Sequence, residues 1–445
     1  MSSAAGLRWP IHAVASAVSG RLVGGGEDIV GSVSTDSRSD VRGAVFVAIR
    51  GDRFDGHDFV ADAIVGGAGV VIVDRSYQGV VEPRIVVDDT RRALLDLAVK
   101  RRNELTVPVI AITGSTGKTS TKDLLAAGIA GSWASPRSFN NEIGLPLTVV
   151  NTPEGSTAVV LEVGSRGRGH IASLQAAVRP DVAVVTNLGV VHLETFGSEE
   201  GLADAKYELI EALGPSGVAI VPDDEPRLQR ATSPNQLTFG EGRGDVSVSD
   251  IVVDALGHPT FTLSARDTSH RVSLEVAGAH QARNAAAAVC VAVALGYDIR
   301  EFVEGLSKAS GSAWRMEVHE GRFTVVNDAY NANPQSVAAA LETLAAMRAG
   351  RRYAVLGPMA ELGPVCETAH RDMGKLALEL GIDGLIVVGV DHGYCIGAGA
   401  LVTNAVDIED AADTLRAVVE PGDVVLVKAS RSAGLERLAI ALAEE

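Results

Sequence analysis

Short β-branched runs alternate with longer helix-forming stretches along most of the chain. The runs AVFVAI (44–49), VVIVD (70–74) and VPVIAIT (107–113) have the length and composition of buried strands. Stretches such as GKTSTKDLLAAGIA (117–130) and EEGLADAKYELIEAL (199–213) favour helices. Because strands and helices alternate, the pattern predicts an α/β protein with mostly parallel sheets.

The pattern divides the chain into three blocks. The first block is small, and the second changes between about Gln236 and Val276 to short alternating strands, which predict an antiparallel extension of its sheet. The third block is a strand–helix series that resembles a dinucleotide-binding sheet, although no G-x-G-x-x-G motif follows its first strand. We therefore expect three α/β domains, at residues 1–106, 107–311 and 312–445.

Composition limits the possible partners and compartments. A length of 445 residues with 46% hydrophobic residues suits two or three compact domains, and a formal net charge of −17 opposes binding to nucleic acid or anionic lipid. The first residues lack a signal-peptide pattern, and the longest apolar run (285–295) is too short to cross a bilayer. We expect a cytoplasmic monomer without membrane insertion. Cys290, Cys366 and Cys395 are widely spaced, so we expect buried thiols rather than disulfides or a metal site.

The stretch ITGSTGKTSTKDLL has the composition of a phosphate-binding loop. Only Ser115 and Thr116 separate Gly114 from Gly117, so the loop is two residues shorter than the usual G-x-x-x-x-G-K-[ST] motif. A predicted strand enters it and a predicted helix leaves it, which is the setting in which backbone amides and the positive helix end bind phosphate. Lys118 would then neutralise the β and γ phosphates of ATP, and the following threonine would bind Mg²⁺. An ordinary strand–helix turn is the alternative.

Further motifs accompany this shortened loop through nearly the whole chain. They are TDSR (35–38), GDRFDGHDF (51–59), NNEIGLPLT (140–148), NLGVVHLETFGSEEGLADAKYELI (187–210), HQARNAAAA (280–288), NDAYNANPQS (327–336), MAELG (359–363) and VKASRS (427–432). In this order they resemble the Mur ligases, the ATP-dependent amide-forming enzymes of peptidoglycan precursor synthesis. The resemblance implies an N-terminal uridine-nucleotide domain, a central ATP-binding P-loop domain and a C-terminal Rossmann-like ligase domain.

One motif distinguishes branches of that family. The sequence DAYNANP (328–334) resembles the branch that joins D-alanyl-D-alanine to UDP-N-acetylmuramoyl-tripeptide, and the D-N-P-R signature of the branch that adds the third amino acid does not occur. The resemblance implies that ATP phosphorylates the tripeptide carboxylate to an acyl phosphate, which the dipeptide amine then attacks. Mg²⁺ would bridge the γ-phosphate and the carboxylate, two anions that otherwise repel each other.

The loop and the resemblance together assign candidate site residues. Those for ATP are Gly114, Ser115, Thr116, Gly117, Lys118, Thr119 and Ser120, with Asn284 at the adenine, Arg315 at the phosphates and Asp328 at the ribose. Those for Mg²⁺ are Thr119, Glu162, His192 and Lys206, of which Lys206 is expected to be carbamylated by CO₂; catalysis is assigned to Lys118, Glu162, His192 and Lys206. Those for the substrates are Ser34, Thr35, Asp36, Ser37, Arg38, Asn140, Asn141, Tyr330, Asn331, Asn333, Lys428 and Ser430.

Some positions depart from the family pattern, and other functions stay open. Pro358 stands where an acid is usual and Ala429 where glycine is usual, which bears on the choice of amine rather than on carboxylate activation. Spacing alone would make Lys206 a solvated helix residue. The alternatives are a Mur-like ligase that acts on another amine or carboxylate, including a folate-type glutamate ligase, and a non-enzymatic regulator that binds ATP.

Overall fold

Helices and strands alternate through the chain. A computed structural model describes residues 7–25, 28–51, 54–136, 138–189, 196–230, 235–390 and 393–445, without the side chains of residues 395 and 400. The helices in these ranges are α1 (Ile11–Ala17), α2 (Val60–Val65), α3 (Thr90–Glu104), α4 (Lys118–Gly128), α5 (Gly144–Val150), α6 (His170–Val178), α7 (Glu199–Glu211), α8 (Gln281–Leu295), α9 (Ile299–Leu306), α10 (Pro334–Ala346), α11 (Cys366–Glu379), α12 (Gly393–Ala398), α13 (Ile408–Val418) and α14 (Glu436–Ala443). Within the same ranges, no helix combines the length and the hydrophobicity needed to span a bilayer.

The strands are collected into three main sheets. The strands are β1 (Trp9–Pro10), β2 (Arg21–Val23), β3 (Ile29–Val30), β4 (Val33–Ser34), β5 (Val45–Val47), β6 (Val70–Asp74), β7 (Arg84–Val87), β8 (Val109–Thr113), β9 (Trp133–Ala134), β10 (Val159–Glu162), β11 (Val182–Val185), β12 (Val218–Pro222), β13 (Gln236–Glu241), β14 (Val246–Val253), β15 (Pro259–Ala265), β16 (Thr268–Ser273), β17 (Glu317–His319), β18 (Thr324–Asn327), β19 (Arg352–Leu356), β20 (Gly384–Val388), β21 (Val402–Ala405) and β22 (Val424–Lys428). The sheet orders are β2-β7-β6-β5-β4, then β16-β15-β14-β13-β12-β11-β8-β10-β9, then β17-β18-β22-β19-β20-β21, beside a short β1–β3 pair. Most neighbours are parallel, which confirms the predicted α/β class.

The central sheet is buried on both faces, which explains its continuous apolar runs. In β8, Ile110 and Ile112 pack in the core that contains α4 and α8. Val109 and Ala111, which alternate with them, pack in a second core with residues of α3, α5, α6 and α7. A strand covered on both faces has no polar side to alternate with, so its sequence is apolar throughout.

Three neighbouring strands of this sheet end together. β8 pairs in parallel with β10 on one side and β11 on the other, so Glu162 lies opposite Ile112 and Val185 lies opposite Thr113. The segments that follow these strands, including the loop before α4, therefore meet at one edge. In open α/β sheets the carboxyl ends of the strands are where ligands bind.

Two expectations from the sequence are wrong in part. The predicted antiparallel extension is limited to the pairings of β14 with β15 and of β15 with β16, because β13 pairs in parallel with β12, and β14 pairs in parallel with β13. An alternating pattern records which face of a strand is buried but is the same for both strand directions. Among the cysteines, Cys290 is buried within α8, whereas Cys366 is exposed because it begins α11 at the surface.

Candidate active site

The loop between β8 and α4 depends on its two glycines. Gly114 has a φ of 146° and Gly117 a φ of 78°, which residues with a side chain rarely adopt. A Cβ atom on Gly114 would overlap the hydroxyl of Thr186, and one on Gly117 would lie 2.6 Å from Oδ1 of Asn284. The backbone therefore passes closer to its neighbours than any side chain would permit.

The segment after β11 holds this loop in place. Asn187 accepts a hydrogen bond from the Thr116 amide at 3.0 Å, and its Nδ2 donates to Thr116 Oγ1 at 2.7 Å. The Thr186 hydroxyl donates to the Thr116 carbonyl oxygen at 2.5 Å. Neither Thr186 nor Asn187 could be identified from the sequence, because Asn187 and Thr116 are 71 residues apart and no local pattern records such a contact.

Lys118 turns back onto the loop that precedes it. Its Nζ donates to the carbonyl oxygens of Gly114 at 2.7 Å and Ser115 at 3.3 Å. Burial lowers the pKa of Lys118; the Glu162 carboxylate opposes this change and the Arg315 guanidinium adds to it. A phosphate group would give the ammonium a charged partner in place of two neutral carbonyls.

Glu162 forms a polar centre with residues from two neighbouring segments. This last residue of β10 is 1% exposed, and its two carboxylate oxygens accept hydrogen bonds at 2.8 Å from Thr119 Oγ1 and Asn140 Nδ2. Mg²⁺ prefers oxygen ligands and commonly takes one or two carboxylates while phosphates and water supply the rest. The described residues contain no group of three His, Cys, Asp or Glu that could hold a metal alone. The Thr119–Glu162 pair therefore fits a Mg²⁺ shared with a phosphate.

Lys206 is buried, contrary to what its helical spacing suggests. It lies on α7 with 3% of its surface exposed, and its Nζ is 5.7 Å from the centroid of the Phe196 ring. Burial and the positive charge of Lys118 lower the pKa of Lys206 to about 7, although Glu208 acts in the opposite direction. His192 lies outside the described residues, so its role as a metal ligand stays a prediction.

A cavity of about 580 Å³ lies between the carboxyl edge of the central sheet and the C-terminal block. The predicted residues that line it are Ser115, Thr116, Gly117, Lys118, Thr119, Ser120, Asn140, Glu162, Asn284, Arg315, Asp328, Tyr330, Asn331, Asn333 and Lys428. Arg315 Nη2 donates to Ser138 Oγ across the cavity at 3.3 Å, and its guanidinium carbon is 4.1 Å from the Tyr330 ring centroid. Groups predicted to bind ATP from two different blocks are thus brought together.

Lys428 is occupied by the protein itself. Its Nζ donates to Asp328 Oδ2 at 2.6 Å and to the carbonyl oxygen of Asn331 at 2.8 Å, and its side chain is 2% exposed. The prediction gave Lys428 to the dipeptide carboxylate or a developing oxyanion. In this arrangement Lys428 instead fixes Asp328 and the following turn, at the ends of the neighbouring strands β18 and β22.

Asn284, the residue predicted to contact the adenine, lies in the cavity wall beside Gly117. Its Nδ2 donates to Gln281 Oε1 at 2.9 Å. His280 lines the same wall, and burial lowers the pKa of His280, with the charge of Asp328 opposing and that of Lys428 reinforcing the change. A neutral imidazole and two amides suit the hydrogen-bonding edge of a purine better than they suit an ion.

A second cavity, of about 310 Å³, lies beside the first on the C-terminal block. Ser430 and Arg431 line it together with Asn331 and Asn333, which border both cavities. Ser430 is largely committed, because its Oγ accepts from the Ala360 amide at 2.8 Å. Arg431 retains an exposed guanidinium, with its side chain 51% accessible.

Comparison with known proteins identifies the family of this arrangement. Three family models match successive parts of the chain: the Mur ligase family catalytic domain at residues 30–102, the Mur ligase middle domain at 112–292 and the Mur ligase glutamate ligase domain at 314–431. The chain belongs to the Mur ligase family. The P-loop, Glu162 and Lys206 fall in the match to the middle domain of that family, and Arg315, Asp328 and Lys428 fall in the match to its glutamate ligase domain.

Curated Mur ligases resemble the chain over almost its full length. Those named UDP-N-acetylmuramoyl-tripeptide–D-alanyl-D-alanine ligase include the Mycobacterium tuberculosis protein, 37% identical over 93% of this chain and 92% of its own length. The protein of that name from Bacillus subtilis is 35% identical over 93% of both chains. The Escherichia coli protein is also 35% identical, over 94% of this chain and 95% of its own.

Solved Mur ligase structures share the three-domain fold. MurF from Acinetobacter baumannii superposes with a TM-score of 0.89 at 30% identity, covering 99% of this chain and 100% of its own. MurF ligase from Thermotoga maritima in complex with ADP gives 0.83 at 31% identity, covering 93% and 97%. These similarities confirm the predicted three-domain Mur ligase architecture.

Some residues predicted from the Mur ligase resemblance lie outside the main cavity. Ser34 ends β4, and a partly exposed turn follows with Thr35, Asp36, Ser37 and Arg38, where Arg38 Nη2 pairs with Asp36 Oδ2 at 2.8 Å. Asn141 does not line the cavity; its Oδ1 accepts the amides of Ile143 and Gly144 at the start of α5. Gly114 and Lys206 do not line the cavity either.

Proposed function

We propose that the protein is an ATP-dependent ligase that joins D-alanyl-D-alanine to UDP-N-acetylmuramoyl-tripeptide, the reaction for which its curated relatives are named. The observation that carries the proposal is that Lys118, Glu162 and Arg315 surround a single cavity. A phosphate-binding lysine, a carboxylate beside it and an arginine from another domain are the groups that carboxylate activation by ATP requires. Because the reaction consumes ATP, we propose that the protein works in the cytoplasm, and that it does so as a monomer.

The residues of the cavity have separable roles in this reaction. The loop amides and Lys118 hold the β and γ phosphates, and Arg315 approaches from the other side, so that the charge moving to the transferred phosphoryl group is stabilised. A carboxylate oxygen of the tripeptide attacks the γ phosphorus, giving an acyl phosphate and ADP. The dipeptide amine then attacks the acyl carbon, inorganic phosphate leaves with the C–O bond electrons, and the amine loses a proton.

The pair of Thr119 and Glu162 would hold Mg²⁺, which supplies positive charge between the γ-phosphate and the carboxylate. We further propose that Lys206 is carbamylated. A buried amine with a pKa of about 7 has a substantial unprotonated fraction, about half, at neutral pH, and only the unprotonated amine reacts with CO₂. The product is a carboxylate-like anion on a helix that otherwise presents a cation.

The remaining substrates fit other parts of the chain. We assign the uridine nucleotide to the turn at 34–38. We assign the D-alanyl-D-alanine carboxylate to Arg431, since its side chain is accessible although it pairs with Glu436, whereas the Lys428 ammonium is buried and paired with Asp328. Pro358 borders this region through its carbonyl oxygen, which accepts the Ser430 amide at 2.9 Å. We place the domain boundaries near residues 106 and 311, between the sheets.

Product analysis tests the proposed reaction. Purified protein with Mg²⁺, ATP and UDP-N-acetylmuramoyl-tripeptide should release phosphate only when D-alanyl-D-alanine is added, and mass spectrometry should show the pentapeptide product. Tripeptides with lysine and with diaminopimelate should both be tried, and Lys118→Ala serves as the inactive control. Phosphate release with another amine but not with D-alanyl-D-alanine would favour a different acceptor, whereas ATP binding without release with any amine would favour a regulator.

A further inference from the structure

Two arginines on neighbouring segments of the C-terminal block are stacked on aromatic rings. The guanidinium carbon of Arg431 lies 4.1 Å from the Trp314 ring centroid and 6.0 Å from that of Tyr330. The guanidinium of Arg315 lies 4.1 Å from the Tyr330 ring centroid. Arg315 lines the main cavity and Arg431 lines the second one, so the stack runs from one cavity to the other.

The backbone that presents Arg315 is held in an unfavourable conformation. Trp314 has a φ of 61° and Met316 a φ of 50°, the left-handed region that bulky side chains avoid. Such a conformation persists only when surrounding contacts impose it. Here the Tyr330 amide donates to the Trp314 carbonyl oxygen at 3.1 Å, and the Met316 amide donates to Asp328 Oδ1 at 3.2 Å.

The side chain of Trp314 adds a contact that comes from outside this loop. Arg431 follows β22 and covers the indole ring, while its Nη1 pairs with Glu436 Oε1 at 3.4 Å. A planar guanidinium over an indole gives both cation–π attraction and stacking, which an ammonium does not reproduce. Arg431 therefore contributes to the conformation at Trp314, next to the residue that reaches the phosphates.

We propose that Arg431 is a positioning residue for Arg315, acting through the Trp314 ring, so that a residue of the second cavity controls ATP binding in the first. The role of Arg315 at the phosphates rests on the proposed function, but the identity of the amine does not enter. An anion bound by Arg431 would draw on the same guanidinium that covers Trp314. Occupation of the second cavity and ATP binding are thereby linked.

The test is the dissociation constant of a non-hydrolysable ATP analogue with Mg²⁺ in the full chain, without amine. Arg431→Lys keeps the charge but loses the planar stack, and Trp314→Leu loses the ring; each should weaken binding roughly twofold to fivefold, the size of one cation–π contact at an exposed site. The double variant should bind the analogue as tightly as the weaker-binding single variant, because both substitutions remove the same contact. Trp314→Phe keeps an aromatic ring and should retain most of the affinity. Arg437→Lys replaces an exposed arginine outside the stack and should bind the analogue like the unmodified chain.

Steady-state kinetics separate positioning from a general loss of structure. The KM for ATP should rise in Arg431→Lys while the KM for UDP-N-acetylmuramoyl-tripeptide, bound by the N-terminal domain, stays unchanged. A loss below twofold in Arg431→Lys, or a double variant whose loss is the product of the single losses, would overturn the inference. If Trp314→Leu does not fold, Arg431→Lys against Arg437→Lys decides alone. Failure of the unmodified chain to bind the analogue would contradict the proposed function and this inference together, whereas binding without ligation would contradict only the former.

Discussion

Burial away from water changes the chemistry available to Lys206. A lysine on a solvated helix face keeps its proton at neutral pH and reacts poorly with CO₂. Lys206 lies in the interior beside the positive charge of Lys118, and both effects favour the neutral amine. Both effects make the Lys206 nitrogen more nucleophilic at neutral pH, which supports the proposed carbamate.

Lys206→Ala is expected to lower turnover roughly a hundredfold or more, as removal of one preorganised charge from an active site does. Short-chain carboxylic acids such as acetate should restore part of the activity, because they supply the anion that the carbamate provided. Rates with and without added acid, compared with those of the exposed-residue control Lys308→Ala, give the measurement. Full activity of Lys206→Ala without any acid would exclude the carbamate.

Gly114→Ala is expected to abolish detectable ATP binding. The added methyl group would meet the Thr186 hydroxyl at a φ of 146°, so the loop must change its course. Gly155→Ala is the matched control, because Gly155 also has a positive φ, of 82°, but its Cβ would meet nothing within 4 Å. Calorimetric titration with an ATP analogue should show the loss only in Gly114→Ala; equal affinities in both variants would mean that the loop does not bind the phosphates.

Side chains of one helix of the central domain cap the beginning of another helix and so hold the elements around the site together. Glu208, on the same helix as Lys206, accepts the Gly169 amide at 2.5 Å and the Ala172 amide at 3.1 Å. Those amides lie at the beginning of α6, where the first helical N–H groups have no partner within the helix. Glu208 therefore joins α7 to the segment that follows Glu162.

Glu208→Ala is expected to destabilise the central domain by about 2 kcal/mol, since two hydrogen bonds to a carboxylate are lost. For a domain of this size, that corresponds to a fall in melting temperature of roughly 4 to 8 °C. Glu211→Ala, an exposed glutamate on the same helix, should change the melting temperature little. Calorimetry of both variants decides the point, and equal melting temperatures would show that the amides of α6 find other partners.

Local periodicity was enough to place the strands and helices, but not the partners of individual side chains. The loop glycines, Lys118 and Thr119 could be recognised because their spacing and their strand–helix setting are written in consecutive residues. The direction of β13 and β14 could not, because alternation looks the same in both directions. Pairing of Lys428 with Asp328 joins residues 100 apart and depends on the register of two strands, which the sequence does not display locally.

At the scale of the whole molecule, the cavity proposed to bind ATP is lined by residues of two domains. The Thr116 hydroxyl donates to Gln335 Oε1 at 3.3 Å, and Arg315 reaches Ser138 from the same side. Gln335 lies in the first turn of α10, whose start is fixed by the capping box of Asn333 and Ser336. A rigid helix end of the C-terminal domain therefore rests on the phosphate-binding loop, where closure can exclude water from a reactive acyl phosphate.

Gln335→Ala is expected to raise the KM for ATP roughly twofold to tenfold, which is the net worth of one hydrogen bond between the domains. The KM for UDP-N-acetylmuramoyl-tripeptide should not change, because the lost contact joins only the central and C-terminal domains. Gln175→Ala, an exposed glutamine on α6, is the control. Since the bond exists only when the domains are closed, the ATP analogue should also raise the melting temperature of Gln335→Ala less than that of the unmodified chain. An unchanged KM for ATP together with an unchanged analogue effect would mean that Arg315, rather than Gln335, holds the closed arrangement.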